Sequence, residues 1–433
     1  MSGLRFAVLG AVRAWRDGYE LDLGGPAQRA FLALLLVRAN RLVPITEVLH
    51  ALWADRPPPR AAARVRLYAA RLRRTLGAGV IVGGDGHFMA RVDPSAVDLH
   101  AGQTPLWTPA QLPADLADFT GRRPELARLQ TALTADTGRV LVVTGMAGVG
   151  KTALAVHLAH GLRPRFPDGQ LYADLGLGGG ADPSAVLGGF LRALGVAPGM
   201  LPPSLMERAR LYRALLTRRR MLVLLDDARD DEQIGSLLPG TPRSAAVVTG
   251  RARLPGLTAD ERVRLGELPL GDALTLLAAI TGGERVAVEF EAAVEVVRHC
   301  GRLPLALRIA GGRLAARPTW TVARLAARLA DGPRRLEELR TGDSDVAAAF
   351  RAGYRTLEPQ PAATLRRLAG HARFSAAEAA EVLRVPQERA EALCETLVDA
   401  GLLDSPAPGV YHNPELLRLF AATTVEPGLS LCR

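Results

Sequence analysis

The chain has 433 residues, a formal net charge of +10, 48% hydrophobic residues and 23% charged residues. This composition is that of an ordinary globular protein, and it excludes a disordered chain, a collagen and a disulfide scaffold. At about 150 residues per domain, the length predicts roughly three domains. No apolar run approaches the ~20 residues of a membrane helix, and the first residues lack the pattern of a signal peptide. The three sparse cysteines predict a reducing cytoplasm without a disulfide framework, and the short apolar runs predict no membrane partner.

Arginine accounts for 53 of the 54 basic residues, and Lys151 is the only lysine. Together with abundant alanine, glycine and proline, this bias is typical of a GC-rich genome, which explains most of the arginines. A single lysine in such a chain indicates a role that arginine cannot fill.

Residues 1–100 predict strands, then three helices, then a hairpin. The predicted elements are strands Leu4–Leu9 and Tyr19–Leu23, helices Pro26–Ala39, Ile45–Ala54 and Arg60–Leu76, and a hairpin in Val80–Val92 that turns at Gly83–Gly86. This order predicts a winged helix-turn-helix.

The third predicted helix is strongly basic, because residues 56–74 contain seven arginines and no acid. Helical spacing directs Val65, Tyr68, Leu72 and Leu76 to the core. The opposite side combines small apolar groups with guanidinium forks, which suit base edges and phosphates. A solvated arginine-rich helix is the alternative in this composition, but for the whole run we favour double-stranded DNA. The expected DNA-binding residues are Arg60, Ala63, Arg64, Arg66, Leu67, Arg71 and Arg74.

The same region resembles the DNA-binding domain of the SARP family, antibiotic-pathway activators with an OmpR-type winged helix. The matching segments are residues 25–36, 38–43, Leu52-Trp53, Arg71–Gly77 and Val97–His100. The resemblance implies an activator of secondary-metabolite genes that binds direct repeats, with RNA polymerase as a candidate partner.

Residues 101–118 contain three prolines and little periodicity, so they predict a linker. Residues 119–260 alternate short apolar runs with helical segments, which predicts a doubly wound parallel sheet. The clearest strands are Val140–Val143, Met221–Leu225 and Ala245–Val248.

The first of these strands leads into a motif of the form G-x-x-x-x-G-K-[ST], followed by a helix. Such a loop turns tightly on its glycines and presents backbone N–H groups to phosphates, while the helix N-terminus adds positive charge. Lys151 is expected to reach the β- and γ-phosphates, and the Thr152 hydroxyl is expected to bind Mg²⁺. The motif therefore predicts a site for ATP or ADP, formed by Gly145, Gly148, Val149, Gly150, Lys151, Thr152 and Ala153.

Asp226 and Asp227 follow the strand Met221–Leu225, where a phosphate loop requires an acidic partner. Asp226 is expected to hold Mg²⁺ through water. Asp227 stands where many fast ATPases have a glutamate base, and its shorter reach predicts slow hydrolysis or a switch. A simple turn after the strand is the alternative. The expected catalytic group is therefore Lys151, Asp226 and Asp227, with at most slow ATPase activity.

Residues 113–425 resemble an NB-ARC module, the nucleotide switch of STAND ATPases. Beyond the two sites above, the matching motifs are Pro113–Arg122, Phe166–Tyr172, Val247–Arg251 and Cys300–Leu305. The resemblance implies that Thr120, Arg122 and Pro304 bind the adenine side of the nucleotide and that Arg251 senses the γ-phosphate. It also implies a closed ADP form and an open ATP form that associates with itself.

The complete predicted fold class is multidomain α/β. It comprises an N-terminal winged helix-turn-helix, a P-loop domain at 119–260, a helical domain at 261–341, a C-terminal winged helix at 342–425 and a tail at 426–433. The C-terminal winged helix is expected to act as an intramolecular clamp, because its segment Pro386–Ala400 is acidic.

The chain departs from the NB-ARC pattern near its C-terminus. The family's histidine and aspartate, which contact ADP, are replaced by Pro414 and Glu415, while His412 lies two residues away. Proline has no side-chain donor, so this change predicts a weaker hold on ADP. Two further parts of large SARP regulators are expected to be absent: the helical activation domain, which does not fit between His100 and Pro113, and the C-terminal sensor repeats.

Two other functional classes remain as alternatives. One is a STAND-type ATPase signalling or scaffold protein whose winged helix contacts protein, against which the acid-free arginine run argues. The other, an enzyme with a second substrate, has little support because no further catalytic motif is visible.

Overall fold

The computed structural model describes residues 3–8, 12–54, 57–84, 86–93, 96–97, 108–133, 139–176, 181–342 and 344–424. Several predicted features lie outside the described residues: Leu9, Asp85, the segment 98–100, the first part of the linker (101–107) and the tail. The chain forms two compact units, Met1–Trp107 and Thr108–Arg433. No helix in the described ranges is long and apolar enough to cross a membrane.

The described part of the first unit contains two small antiparallel sheets and three helices. Its elements are β1 (Leu4–Ala7), β2 (Arg13–Arg16), β3 (Tyr19–Glu20), α1 (Pro26–Val37), β4 (Val43–Pro44), α2 (Ile45–Trp53), α3 (Ala61–Leu76), β5 (Ile81–Gly83) and β6 (His87–Ala90). The sheet orders are β1-β2-β3 and β4-β6-β5. The strand β2 was not predicted, because the sequence Arg-Ala-Trp-Arg buries fully only Ala14.

Buried side chains of α1, α3 and β6 meet in the core of this unit. Phe31 and Phe88 contact edge to face, with ring centroids 5.4 Å apart. Val65 and Leu72 are fully buried, as their spacing on α3 predicts. The core therefore fixes which side of α3 remains at the surface.

The second unit begins with a P-loop parallel sheet and its helices. Its elements are α4 (Arg123–Ala132), β7 (Val140–Gly145), α5 (Lys151–Leu162), β8 (Gln170–Asp174), α6 (Pro183–Ala193), α7 (Leu205–Leu216), β9 (Leu222–Ala228), α8 (Asp231–Gly235), β10 (Ala245–Gly250) and β11 (Glu261–Leu265). The strand order is β11-β7-β10-β9-β8, and all pairs are parallel. The three central strands are apolar along most of their length because helices cover both faces.

Two predicted boundaries differ from the structure. The fifth strand, β11, pairs with β7, so the sheet continues past residue 260. The segment from Thr108, predicted as linker, belongs to the second unit because its backbone pairs with the start of β8. There the Gln170 N–H donates to the Pro109 carbonyl at 2.7 Å, and the Gln111 N–H donates to the Gln170 carbonyl at 3.1 Å.

A helical region follows the sheet, and a mixed region of helices and a small sheet ends the described chain. The helical region comprises α9 (Leu270–Thr281), α10 (Gly283–Val288), α11 (Phe290–His299), α12 (Pro304–Ala315), α13 (Val322–Ala330) and α14 (Gly332–Glu338). The mixed region comprises β12 (Arg340–Thr341), β13 (Ser344–Asp345), α15 (Val346–Tyr354), α16 (Pro359–Arg367), β14 (Arg373–Ser375), α17 (Ala376–Leu383), α18 (Gln387–Asp399), β15 (Asp404–Ala407), β16 (Val410–His412) and α19 (Glu415–Thr423). One hydrophobic core joins a face of the parallel sheet to both regions, which brings the last region against the carboxyl end of the sheet.

Candidate functional sites

The loop between β7 and α5 has the conformation that its glycines permit. Gly145, Gly148 and Gly150 have φ angles of +146°, +79° and +94°, which side chains with a Cβ rarely adopt. A Cβ on Gly145 would also lie 2.5 Å from the Leu265 carbonyl oxygen of β11. The loop therefore requires glycine both for its backbone angles and for its contact with the sheet.

Lys151 begins α5 and is buried within this loop, with 8% of its surface exposed. Its Nζ donates to the Met146 carbonyl oxygen at 3.0 Å. Burial lowers the pKa of the amine to about 8. The ammonium thus lies at the centre of the loop, where a bound phosphate would be its natural partner.

Thr152 and Asp226 meet at the carboxyl end of the sheet. The Thr152 hydroxyl donates to the Asp226 carboxylate, with Oγ1 at 2.9 Å from Oδ1 and 3.0 Å from Oδ2. The Thr249 hydroxyl donates to the same carboxylate at 2.5 Å. Burial raises the pKa of Asp226. A hydroxyl and a carboxylate are the hard oxygen donors that Mg²⁺ prefers, so these two residues fit the ion.

Asp227 is paired with Arg251 across the same site. Arg251 Nε donates to Oδ1 at 3.2 Å and Nη2 donates to Oδ2 at 3.0 Å. Arg251 Nη1 also donates to the Ala349 carbonyl oxygen of α15 at 3.4 Å. The residue expected to sense the γ-phosphate therefore contacts both the residue expected to activate water and the C-terminal region.

A cavity of about 550 Å³ opens over the phosphate loop. The predicted residues that line it are Gly148, Gly150, Lys151, Thr152, Ala153, Asp226, Asp227, Arg251 and Pro304. A small apolar recess beside it is bordered by Leu116, Phe119, Leu276 and Pro304. Pro304 borders both spaces, so the polar cavity and the apolar recess adjoin, an arrangement that suits the phosphates and the base of a nucleotide.

Thr120, Arg122 and Val149 lie at the recess. Arg122 is 5% exposed, and its Nη2 donates to the Val149 carbonyl oxygen at 3.2 Å and to the Gly266 carbonyl oxygen at 2.6 Å. In this arrangement Arg122 braces the phosphate loop against the segment after β11.

Three contacts that hold the segment 113–122 over this site were not predicted. Asp118 forms a two-pronged ion pair with Arg308 of α12, at 2.7 and 2.8 Å. Phe119 stacks on His157 of α5 with ring centroids 4.2 Å apart, and the His157 imidazole lies 3.0 Å from the Asp115 carboxylate. The spacing of Asp118 and Arg308, 190 residues apart, contains no local signal that could have revealed their pairing.

The C-terminal departure from the NB-ARC pattern does not line the cavity over the phosphate loop. His412, Pro414 and Glu415 are not among the described residues that line it. Glu415 instead pairs with Arg335 of α14, whose guanidinium is buried. Arg335 Nε also donates to the Leu329 carbonyl oxygen at 2.6 Å. Glu415 therefore ties α19 to the helical region.

The basic side of α3 is at the surface of the first unit. All seven predicted DNA-binding residues are exposed: Arg60, Ala63, Arg64, Arg66, Leu67, Arg71 and Arg74. Arg73, on the same helix, has a different role, because its Nε donates to the Ile81 carbonyl oxygen at 2.7 Å and its Nη2 donates to Gly83. Arg73 thus fastens the β5–β6 hairpin to α3.

Comparison with known proteins defines the class first. Residues 134–233 match the AAA domain family. With the parallel sheet and the glycine loop already described, this match identifies a nucleotide-binding P-loop ATPase domain. A Walker-type ATPase of Pyrococcus abyssi is 15% identical, with a TM-score of 0.48 over 73% of this chain and 99% of that one.

The relatives are regulators. Over 98% of its length, the chain is 38% identical to the regulatory protein AfsR of Streptomyces coelicolor and 36% identical to that of Streptomyces griseus. It spans 60% of the length of each. Over 78 residues, 18% of this chain and 25% of the relative, it is 44% identical to the transcriptional regulatory protein MoaR1 of Mycobacterium tuberculosis. The predicted resemblance to SARP-type regulators with a P-loop ATPase domain is confirmed.

Proposed function

We propose that this protein is a sequence-specific DNA-binding transcriptional regulator whose self-association is switched by ATP and ADP. The observation that carries the proposal is the exposed, acid-free arginine side of α3. The similarity of the chain to proteins named as regulators supports the same assignment. As in the sequence prediction, an activator of secondary-metabolite genes is the specific form we favour.

In this proposal the first unit is a winged helix, with α3 as the recognition helix and β5–β6 as the wing. A helix in the major groove reads base edges with its exposed side chains and holds phosphates with its flanks. Arg64, Arg71 and Arg74 have no acidic partner among the described residues, so their charges are available to phosphates. Arg73 positions the wing relative to α3.

The second part of the proposal is a switch at the nucleotide site. Mg²⁺, when bound by Thr152 and Asp226, would neutralise phosphate charge. Lys151 would bind the β- and γ-phosphates. A γ-phosphate would compete with Asp227 for Arg251, because both are anions that suit the guanidinium fork. Arg251 would then leave the Ala349 carbonyl, so ATP and ADP would favour different arrangements of α15.

The contacts of the C-terminal region support its role as a clamp in the ADP form. Arg253, which follows β10, lies 3.9 Å from Asp399 at the end of α18. Arg264 of β11 donates to the Leu403 carbonyl oxygen at 3.1 Å and pairs with Asp404. These arginine contacts hold the last region against the sheet. Opening them would expose surface for self-association, which raises the local concentration of DNA-binding units on direct repeats.

The decisive experiment is selection from a random double-stranded DNA pool, in parallel with ADP and with a non-hydrolysable ATP analogue. The proposal predicts enriched direct repeats, more strongly in the ATP-analogue arm. The triple variant Arg64→Ala, Arg71→Ala and Arg74→Ala should lose enrichment. Arg218→Ala, an exposed arginine of the second unit, should keep it.

Two results would change the assignment. Equal enrichment in both arms would keep DNA binding and reject nucleotide control of it. No enrichment in either arm would reject the DNA role and favour the ATPase scaffold, whose first unit contacts protein.

A further inference from the structure

A second large cavity lies among α14, α15 and α19, apart from the nucleotide site. Its volume is about 700 Å³, within the range of small-molecule sites. One wall is apolar and aromatic, formed by Leu336, Tyr354 and Phe420 among others. Tyr354 and Phe420 contact edge to face with ring centroids 5.8 Å apart. This wall suits the hydrophobic body of an organic molecule.

The charged groups that face the cavity differ in whether they already have a partner in the protein. They are Arg340, Arg351, Arg355, Glu337 and Asp345. Asp345 is already engaged, because its Oδ1 accepts from the Ala348 N–H at 3.1 Å and its Oδ2 lies 3.9 Å from Arg340. In the part of the chain that the structure describes, the guanidiniums of Arg351 and Arg355 have no ion pair or hydrogen bond. Two unpaired guanidiniums beside an apolar wall, opposed by Glu337 alone, favour an anion.

One helix separates this cavity from the nucleotide site. Ala347, Arg351 and Tyr354 of α15 and Arg355, which directly follows it, line the cavity, and the spacing of the helical residues places them on one side of the helix. Ala349 lines the nucleotide cavity and accepts from Arg251. α15 therefore contacts both spaces directly.

We infer that the cavity among α14, α15 and α19 is a binding site for a small organic anion with an apolar or aromatic body. Such a ligand would place its anionic group on Arg351 and Arg355 and its body against Tyr354 and Phe420. Because it would bridge α14 to α15 and α19, it would stabilise the arrangement in which Arg251 contacts Ala349. It would thereby slow the release of ADP. This regulatory consequence rests on the proposed nucleotide switch, whereas the binding site does not.

Binding is tested on the full chain with 1-anilinonaphthalene-8-sulfonate, whose fluorescence rises when water is excluded. We expect one binding site per chain. The double variant Arg351→Ala and Arg355→Ala should bind about tenfold more weakly. Ala347→Phe, which keeps both charges but fills space, should also weaken binding. The control Arg218→Ala should not change it.

Two further comparisons make the result decisive. Benzoate should displace the probe, and inorganic phosphate at the same concentration should not. Displacement by phosphate alone would overturn the requirement for an apolar body. Equal binding to the double variant and to the control, with unchanged melting temperatures, would overturn the site itself.

The regulatory consequence is measured as the release of radiolabelled ADP on filters, with and without the probe. We expect slower release with the probe in the unchanged protein and no effect in the double variant. If the probe binds as expected but release does not change, the coupling is wrong while the site stands. If labelled ADP does not bind at all, the proposed switch fails independently of this site.

Discussion

Arg251 and Asp227 neutralise one another across the nucleotide site, through hydrogen bonds of 3.2 and 3.0 Å. Neither side chain is deeply buried, at 28% and 32% exposure. The pair can therefore exchange partners when a new anion enters. As long as it persists, the Asp227 carboxylate stays paired, and Arg251 remains on the Ala349 carbonyl. The slow hydrolysis predicted from the aspartate has a further physical reason in this ion pair.

Arg251→Ala should accelerate ADP release several-fold and abolish the difference between ATP and ADP in self-association. The substitution removes both the hydrogen bond to Ala349 and the group that would contact the γ-phosphate. Release can be followed by stopped flow with a fluorescent ADP analogue, and association by light scattering. Arg218→Ala is the control, because this exposed arginine is not among the described residues that line the nucleotide cavity. An unchanged ATP response in the Arg251 variant would contradict the switch.

Lys151→Ala should weaken ADP binding about 100-fold, since it removes a charge-assisted contact in a buried loop. Lys151→Arg should restore little, because a planar guanidinium does not fit where Nζ meets the Met146 carbonyl. Isothermal titration calorimetry measures both. Circular dichroism should show the same helix content in all variants. Full binding by the arginine variant would show that charge alone suffices.

The sequence was sufficient to locate the phosphate loop, because a strand, a glycine loop and a helix form one local unit. Asp226 could be located for a related reason: parallel strands end at one edge of a sheet, so acids after consecutive strands meet there. Burial on α3 could also be predicted, because helical spacing alone decides which side chains face the core. The exposed positions Arg64 and Arg71 follow from the same spacing.

Contacts between distant parts of the chain could not be predicted in this way. The pairing of Asp227 with Arg251 depends on the register of β9 and β10 and on the left-handed backbone of Asp227, with φ at +52°. The stacking of Phe119 on His157 depends on how the segment 113–122 folds over α5. Because 53 arginines outnumber the 44 acids, each acid has several possible arginine partners, and the sequence does not indicate which one it pairs with. The stretch that forms β11 was predicted to begin the helical domain, because its charged residues Glu261, Arg262 and Arg264 interrupt the apolar run that is typical of a buried strand.

The ion pair of Asp118 and Arg308 predicts a pH-dependent stability. The guanidinium holds the pKa of Asp118 below its ordinary value. A carboxyl group with a lowered pKa in the folded state stabilises the fold above its unfolded pKa. That contribution is lost as the pH falls through the folded pKa. Asp118→Asn should therefore lower the melting temperature at neutral pH, and the difference from the unchanged protein should shrink below about pH 4.

Melting curves between pH 3 and pH 8 measure this effect. Glu381→Gln, at an exposed carboxylate of α17, serves as the control and should show no such trend. A difference for Asp118→Asn that stays constant across the range would indicate lost packing rather than lost charge.

Glu415→Gln should reduce the free energy of unfolding by about 1–2 kcal/mol, because the buried Arg335 guanidinium then loses its charged partner. The affinity for ADP should not change, since Glu415 is not among the described residues of the nucleotide cavity. Urea denaturation and calorimetric titration measure the two quantities separately. A large loss of ADP affinity would mean that Glu415 acts on the nucleotide.

The weaker hold on ADP predicted from Pro414 and Glu415 means that the unchanged protein should lose ADP on extensive dialysis, and tight retention of ADP would refute it.

The salt dependence of DNA binding distinguishes the two ways in which α3 can use its arginines. Each neutralised phosphate contributes roughly 0.9 to the slope of log K against log salt. Arg64→Ala and Arg71→Ala, tested singly, should each reduce the slope by about 1 if the side chain binds phosphate. A side chain that reads a base should leave the slope nearly unchanged and relax the selected sequence at one position. Arg218→Ala should change neither quantity. Arg73→Ala should lower thermal stability, because its Nε no longer holds the Ile81 carbonyl of the hairpin. If Arg64→Ala and Arg71→Ala both keep the slope of log K against log salt and the sequence preference, α3 does not contact DNA.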